Sequence, residues 1–136
     1  MAFSDYFDEK NIKFHENGKI MSKKRIVFEL GQGTSLRHED YTKAAKRAVE
    51  NALWKNSLNV AEAFGFDKSD MIIDVILGAQ EPGKIESEKI RGVFPYGEVS
   101  IEKTFGGLDV PKPDGGGKTI IVTAAIIVSF QMEILI

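Results

Sequence analysis

The chain has 136 residues, no cysteine, and a formal net charge of −2 from 18 Lys+Arg and 20 Asp+Glu residues. One domain is the natural reading of that length, and the lack of cysteine excludes disulfides, thiolate metal sites and cysteine nucleophiles. The weakly acidic balance speaks against general binding to nucleic acid or an anionic membrane, which needs a positive surface field.

Residues 1–20 have mixed polarity, no clear period and a turn signal at Asn17-Gly18. They are expected to form a flexible N-terminal extension to a single α/β domain over 21–136. The acidic start lacks the apolar stretch of a secretory signal, and no apolar run reaches the length of a membrane span, so a cytoplasmic protein is expected. From Lys24 the pattern becomes regular. Lys24–Leu30 alternates as a strand, with Ile26, Phe28 and Leu30 on one face and Val27 and Glu29 on the other. Gly31 and Gly33 are expected to end it. Asp40 then caps a helix about four turns long. Its apolar stripe is Tyr41, Ala44, Ala45, Ala48, Val49, Ala52 and Leu53, and the alanines let it sit close to a sheet.

A short helical segment is expected over Val60–Phe64. Met71–Leu77 reads as a second strand broken by Gly78 and Pro82-Gly83. Glu86–Phe94 reads as a short helix that Pro95 stops. Glu98–Phe105 and Lys118–Gln131 supply the third and fourth strands. The segment between them, Gly106–Lys118, is long for a hairpin. Its three consecutive glycines favour mobility, so it is expected to be disordered without a ligand, with Lys112 and Lys118 reaching an anion if it folds inward.

The order β-α-β-α-β-β predicts an α/β (α+β) fold: a four-stranded mixed sheet with two helices on one face. The two β-α-β crossovers imply parallel neighbours, and the last two strands a hairpin. The face without helices then carries Val27 and Glu29; Ile72, Asp74 and Ile76; Ser100, Glu102 and Thr104; and Ile121, Thr123, Ala125, Ile127 and Ser129. That set is too apolar for water and too polar for a sealed core. Such patches mark a subunit interface or a ligand site, and symmetric self-association is the commonest solution. The alternative cover is the N-terminal extension.

The densest polar candidate lies between the first strand and the main helix, Gly31-Gln-Gly-Thr-Ser-Leu-Arg-His-Glu-Asp40. Ligands of α/β sheets bind beyond the carboxyl ends of the strands. Glycines allow close backbone approach, and a helix N-terminus offers free N–H groups. Arg37, His38 and Lys43 gather at that end, where cations oppose the helix dipole unless an anion sits among them. The plainer reading pairs Glu39 with Lys43 on the surface. The segment is not a dinucleotide fingerprint, lacking the third glycine, and Gly117-Lys118-Thr119 is not a P-loop, having Lys112 where a glycine is required and a strand in place of the following helix. Glu29 and Asp74 share the helix-free face. They suit either acid–base work at raised pKa or a salt bridge to a neighbouring subunit. With His15 in the extension, no histidine–carboxylate metal spacing exists.

These residues bring a resemblance with them. The strand–Gly31-x-Gly33 turn, Asp40-Tyr-Thr-Lys-Ala-Ala-Lys-Arg-Ala-Val, Asn56-Ser-Leu, Met71-Ile-Ile-Asp-Val and Val93-Phe-Pro-Tyr-Gly-Glu-Val are similar to an uncharacterised conserved family of bacteria and plants. Members carry a GxGxDxHG motif. Gly31 and Gly33 match it, whereas Ser35 stands at the aspartate position, Arg37 at the histidine and His38 at the last glycine. The resemblance implies that acid–base or metal chemistry of that aspartate and histidine is lost here. The element order also resembles chorismate-mutase-like folds, which implies a trimer with sites between subunits; element order is analogy alone.

The sequence therefore predicts a homo-oligomer that binds a small anionic metabolite between subunits. Gly31, Gly33, Ser35, Arg37 and Lys43 would hold the anion, and His38 or Asp74 would move a proton if the protein is an enzyme. No cofactor, metal, nucleic acid or membrane is expected. The alternative is a non-catalytic assembly or regulatory subunit, which the degenerate motif favours.

Overall fold

The computed structural model describes residues 13–14, 20–55 and 60–133. Its strands are β1 (Lys13–Phe14), β2 (Ile20–Ser35), β3 (Ile72–Ala79), β4 (Glu98–Phe105), β5 (Leu108–Pro111) and β6 (Lys118–Glu133). Its helices are α1 (Tyr41–Lys55), α2 (Val60–Ala63) and α3 (Ser87–Arg91). Single 3₁₀ turns at Lys68–Asp70 and Pro82–Lys84 bracket β3. The chain is thus a mixed α+β protein.

Among the described residues the sheet has six strands where the sequence predicts four. Five follow the order β1-β2-β6-β3-β4, and β5 pairs with β6 off that path. β3 and β4 are parallel neighbours joined through α3, as the second crossover implies. The first crossover behaves differently. β2 and β3 point the same way, but β6 lies between them, antiparallel to both. The physical reason is burial. β6 carries Ile120, Val122, Ile126, Val128 and Phe130 on one face and Ile121, Ala125 and Ile127 on the other. A strand apolar on both faces belongs in the middle of a sheet. β4 and β6 accordingly do not form the predicted hairpin; β5 takes that place.

The face assignment of β2 also changes. A register shift between Arg25 and Val27 leaves Ile26 as an extra residue, and a one-residue bulge sends every later side chain to the opposite face. Val27, Glu29, Gly31 and Gly33 therefore share the helix side with Val128, Ile126, Ala124 and Val122. Phe28 and Leu30, predicted as core, turn to the helix-free face, where they are 52% and 56% exposed.

α1 lies on the other face as its stripe requires, with Tyr41, Ala44, Ala45, Ala48, Val49 and Ala52 buried. Lys43 N–H donates to Asp40 Oδ1 at 3.0 Å, the N-cap read from the sequence. Ala61 of α2 and Ile90 of α3 join the same core. Among the described residues, all helices therefore cover one face of the sheet.

Gly31 and Gly33 do not end β2. They sit inside it, beneath α1. A β-carbon at Gly31 would fall 2.2 Å from Ala48 O, and one at Gly33 2.2 Å from Ala44 O. The expected disorder over Gly106–Lys118 gives way to a hairpin. Its tip is closed by Lys112 N–H to Gly117 O at 2.9 Å and by Gly116 N–H to Asp114 Oδ1 at 2.8 Å. Most of the expected extension lies outside the described residues; Lys13 and Phe14 pair with Met21 and Ile20.

Candidate functional site

β2, β3 and β4 all end on the side of the sheet where β6 begins, and α1 starts there with Tyr41. This is the edge where open α/β sheets place ligands. Four elements bring polar groups to it. Tyr41 opens α1, and Glu81 follows β3. Lys84 is turned back beside Glu81 by the 3₁₀ turn that Pro82 starts. Asp109 of β5 opposes Ile120 and Pro111 opposes Lys118, so Asp109 and Lys118 are diagonal neighbours on the helix side.

Their side chains form one network. The Tyr41 hydroxyl lies 2.8 Å from Glu81 Oε2 and 2.5 Å from Asp109 Oδ2. It has one proton, so it donates to one carboxylate at a time. Lys118 Nζ donates to Asp109 Oδ2 at 2.9 Å and to Glu81 Oε2 at 3.2 Å. Lys84 Nζ reaches Glu81 Oε1 at 3.2 Å. The two ammonium groups lie 5.9 and 5.7 Å from the centre of the Tyr41 ring, within cation–π range. Asp109 Oδ1 is buried with no hydrogen-bond partner.

Neighbouring bonds hold the frame. Gln80 Nε2 donates to Gly106 O at 3.0 Å, and Lys118 N–H donates to Glu39 Oε1 at 2.9 Å. Glu86 N–H donates to Thr42 Oγ1 at 2.9 Å. Burial, and then the bond to Asp109, push the Tyr41 phenol well above its ordinary range. It is a proton donor in this setting and not a phenolate. The Tyr41 hydroxyl, followed by Lys118 and Lys84, pulls Glu81 down to about 2. Asp109, Tyr41 and Glu81 together raise Lys118 above the usual lysine range. At neutral pH the network therefore holds a neutral phenol, an ionised Glu81 and a charged Lys118.

The residues singled out from the sequence have mixed places. Gly31 and Gly33 carry α1, and their backbones belong to the ladder with β6. Ser35 is buried, and its Oγ accepts from Asp40 N–H at 3.1 Å, so it braces the start of α1. Arg37, His38 and Lys43 are exposed at that same end. Asp74 lies on the opposite face, bonded to Lys23 Nζ at 2.8 Å. The partner is a lysine of the same chain, whereas the sequence reading has a neighbouring subunit supply it. The structure does not bring His38 and Asp74 together. Ser35 opposes Ile120 and Asp74 opposes Ile127 along β6, a separation of about 23 Å at strand rise. Among the described residues no group of three or more histidine or carboxylate side chains is placed to hold a metal ion.

Sequence reasoning missed Tyr41, Glu81, Lys84 and Asp109. Tyr41 was absorbed into the apolar stripe, although its hydroxyl needs a partner once buried. Lys118 is expected from the sequence to reach an anion if its loop folds inward; its bonds to Asp109 and Glu81 carry no signal in the sequence.

Residues 25–128 match the family model described as conserved hypothetical protein (Lin0512_fam). The chain belongs to the Lin0512 family. The matched stretch of this Lin0512 chain includes Tyr41, Glu81, Lys84, Asp109 and Lys118. It is also similar to the crystal structure of an FtsZ-like protein of unknown function from Nostoc punctiforme. The two are 30% identical, with a TM-score of 0.73, over 82% of this chain and 99% of that one. No curated protein matches the sequence. No helix among the described residues is long and apolar enough to cross a membrane.

Proposed function

We propose that this Lin0512-family protein self-associates and binds a small molecule bearing a carboxylate or phosphate at the start of α1. One observation carries the binding half of that reading. Three donors, the Tyr41 hydroxyl, Lys118 and Lys84, converge on one carboxylate, and that carboxylate is the chain's own Glu81. The position is built for an anion, since charge-assisted hydrogen bonds are roughly twice as strong as neutral ones. Glu81 is 43% exposed, so water is open to its side chain. A ligand anion that replaces it leaves the local charge unchanged. Arg37 and Lys43 add positive charge at the rim. The self-association half rests on Phe28 and Leu30, exposed on the face that none of the described helices covers.

A second reading is favoured by the same cluster's internal neutrality. Here the network is a clasp that fastens the β5–β6 hairpin to α1, in a non-catalytic assembly subunit. Removing the internal carboxylate separates the two. Glu81→Ala, titrated calorimetrically with inorganic phosphate and with malate, is expected to bind about tenfold more tightly than the native protein, the equivalent of 1.4 kcal/mol. Adding Lys118→Met is expected to abolish the gain. Equal affinity of the native protein, Glu81→Ala and the double variant would leave only the clasp.

A further inference from the structure

We propose that the helix-free face of the sheet is a two-fold interface with a second copy of this chain, its axis running along the strands. The inference rests on the self-association reading and adds to it the surface, the symmetry and the residues that meet.

The pairing registers define rows across this face. One row runs Arg25, Ser129, Ile72, Glu98 from β2 through β6 and β3 to β4. A basic residue stands at one edge and an acidic residue at the other, at the same height along the strands. The Arg25 guanidinium lies 5.8 Å from the centre of the Phe28 ring, which places its charge on this face. When two such sheets meet face to face about an axis parallel to the strands, left and right exchange while height is kept. β2 then lies over β4 of the other copy. Arg25 meets the partner's Glu98, and the symmetry repeats the pair at the opposite edge. Stacked sheets lie about 10 Å apart, a gap that an arginine and a glutamate span together. An axis across the strands sets β2 over β2, where Arg25, Phe28, Leu30, Gln32 and Thr34 share this face and offer no carboxylate.

The neighbouring rows run Phe28, Ile127, Asp74, Ser100 and Leu30, Ala125, Ile76, Glu102. The same exchange therefore lays Phe28 over the partner's Ser100 and Leu30 over the partner's Glu102, while Ile127 and Ser129 are already buried within the chain. Phe28 and Leu30 are more than half exposed. Leu108 of β5, 59% exposed, shares a row with Ile121 of β6, so the exchange of strands lays each over its counterpart. Asp74, in the middle of the face, is already neutralised by Lys23 and is covered as a pair. Glu102 lies on the edge strand, level with Leu30, so its carboxylate must turn outward past the partner's Leu30 to reach water. The extent is adequate. Four strands spaced 4.8 Å apart and about eight residues of strand length give a footprint of roughly 500 Å² per copy. The two copies together bury on the order of 1,000 Å², the lower bound of specific interfaces. A dimer of moderate affinity is the expected product.

Sedimentation equilibrium of the full chain over a concentration series tests this. The native protein is expected to be a monomer–dimer equilibrium. Phe28→Asp and Leu30→Asp, both at exposed positions outside the core, are expected to stay folded by circular dichroism and to run as monomers. Arg25→Glu and Glu98→Arg are each expected to weaken the dimer about tenfold or more, because both edges lose their pair and gain a like-charge contact. The double variant Arg25→Glu/Glu98→Arg is expected to return to within about threefold of native affinity. A native monomer at every concentration overturns both self-association and this interface. An oligomer that survives Phe28→Asp and Leu30→Asp overturns the interface alone. Dissociation by those two without rescue in the charge swap overturns the axis, as does a trimer.

Discussion

At Gly33 a β-carbon would lie 2.2 Å from Ala44 O and 2.3 Å from Ala48 N, both backbone atoms of α1. Backbone cannot turn aside as a side chain can, so the helix must lift. Gly33→Ala is therefore expected to lower the free energy of unfolding by about 1–3 kcal/mol, the usual range for overpacking. Gly83→Ala, at a position with nothing within 4 Å, is expected to stay within about 0.5 kcal/mol of native. Urea denaturation of the two variants checks both values. The contrast also explains why the glycine pair misleads when read from sequence. Gly31 and Gly33 look like punctuation before a helix, or a cradle for a ligand. The alternative was present in Ala44, Ala48 and Ala52, small residues at helical spacing that ask for an equally small partner. Sequence order does not say which strand supplies it. Tyr41 posed the same difficulty: its spacing revealed its burial, but its hydroxyl's partners come from β5 and from the turn after β3.

Among the elements, β4 was legible to the residue, Glu98–Phe105 both expected and observed. Val99 and Ile101 alternate with Glu98, Ser100 and Glu102, and the strand lies between Gly97 at φ 96° and the Gly106-Gly107 pair. α1 was legible because cap and stripe agree. β5 was not, for four residues ending in Pro111 carry too little pattern, and their stability comes from β6 and the Tyr41 network. That network joins the start of α1, the turn after β3 and the hairpin, so its titration is felt by all three. Glu81 falls from its ordinary 4.5 to about 2 in the folded protein. Its contribution is thus present above pH 4.5 and is lost as pH falls towards 2. Tyr41 and Lys118 are raised from 10.0 and 10.5. Their contribution is present below those values and is lost as pH climbs past them. Melting temperatures across pH are expected to decline at both ends. In Glu81→Ala the acid decline is shallower, because the carboxylate whose protonation costs stability is absent. A native acid profile in Glu81→Ala would show that Glu81 does not couple the three elements.

For the whole molecule, strand order and the facing of β2 decide what is left uncovered, and neither was legible. The central place of β6 follows from its being apolar on both faces. The turn of Phe28 and Leu30 outward follows from one extra residue at Ile26, which alternation alone does not reveal. The consequence is a sheet with every helix on one side and large apolar side chains on the other. If that face closes against a second copy, association is coupled to folding, and above the dimer's dissociation constant stability depends on protein concentration. A tenfold rise in concentration adds 1.4 kcal/mol to a dimer. Shared between two chains of 136 residues, each with an unfolding entropy of about 2.1 cal/mol/K per residue, this raises the melting temperature by roughly 2–3 °C. Calorimetric scans of the native protein over two decades of concentration are expected to show that slope. Leu30→Asp is expected to melt at one temperature throughout, lying on the native curve extrapolated to high dilution. A native melting temperature independent of concentration would mean that Phe28 and Leu30 face water, or a cover other than a second copy.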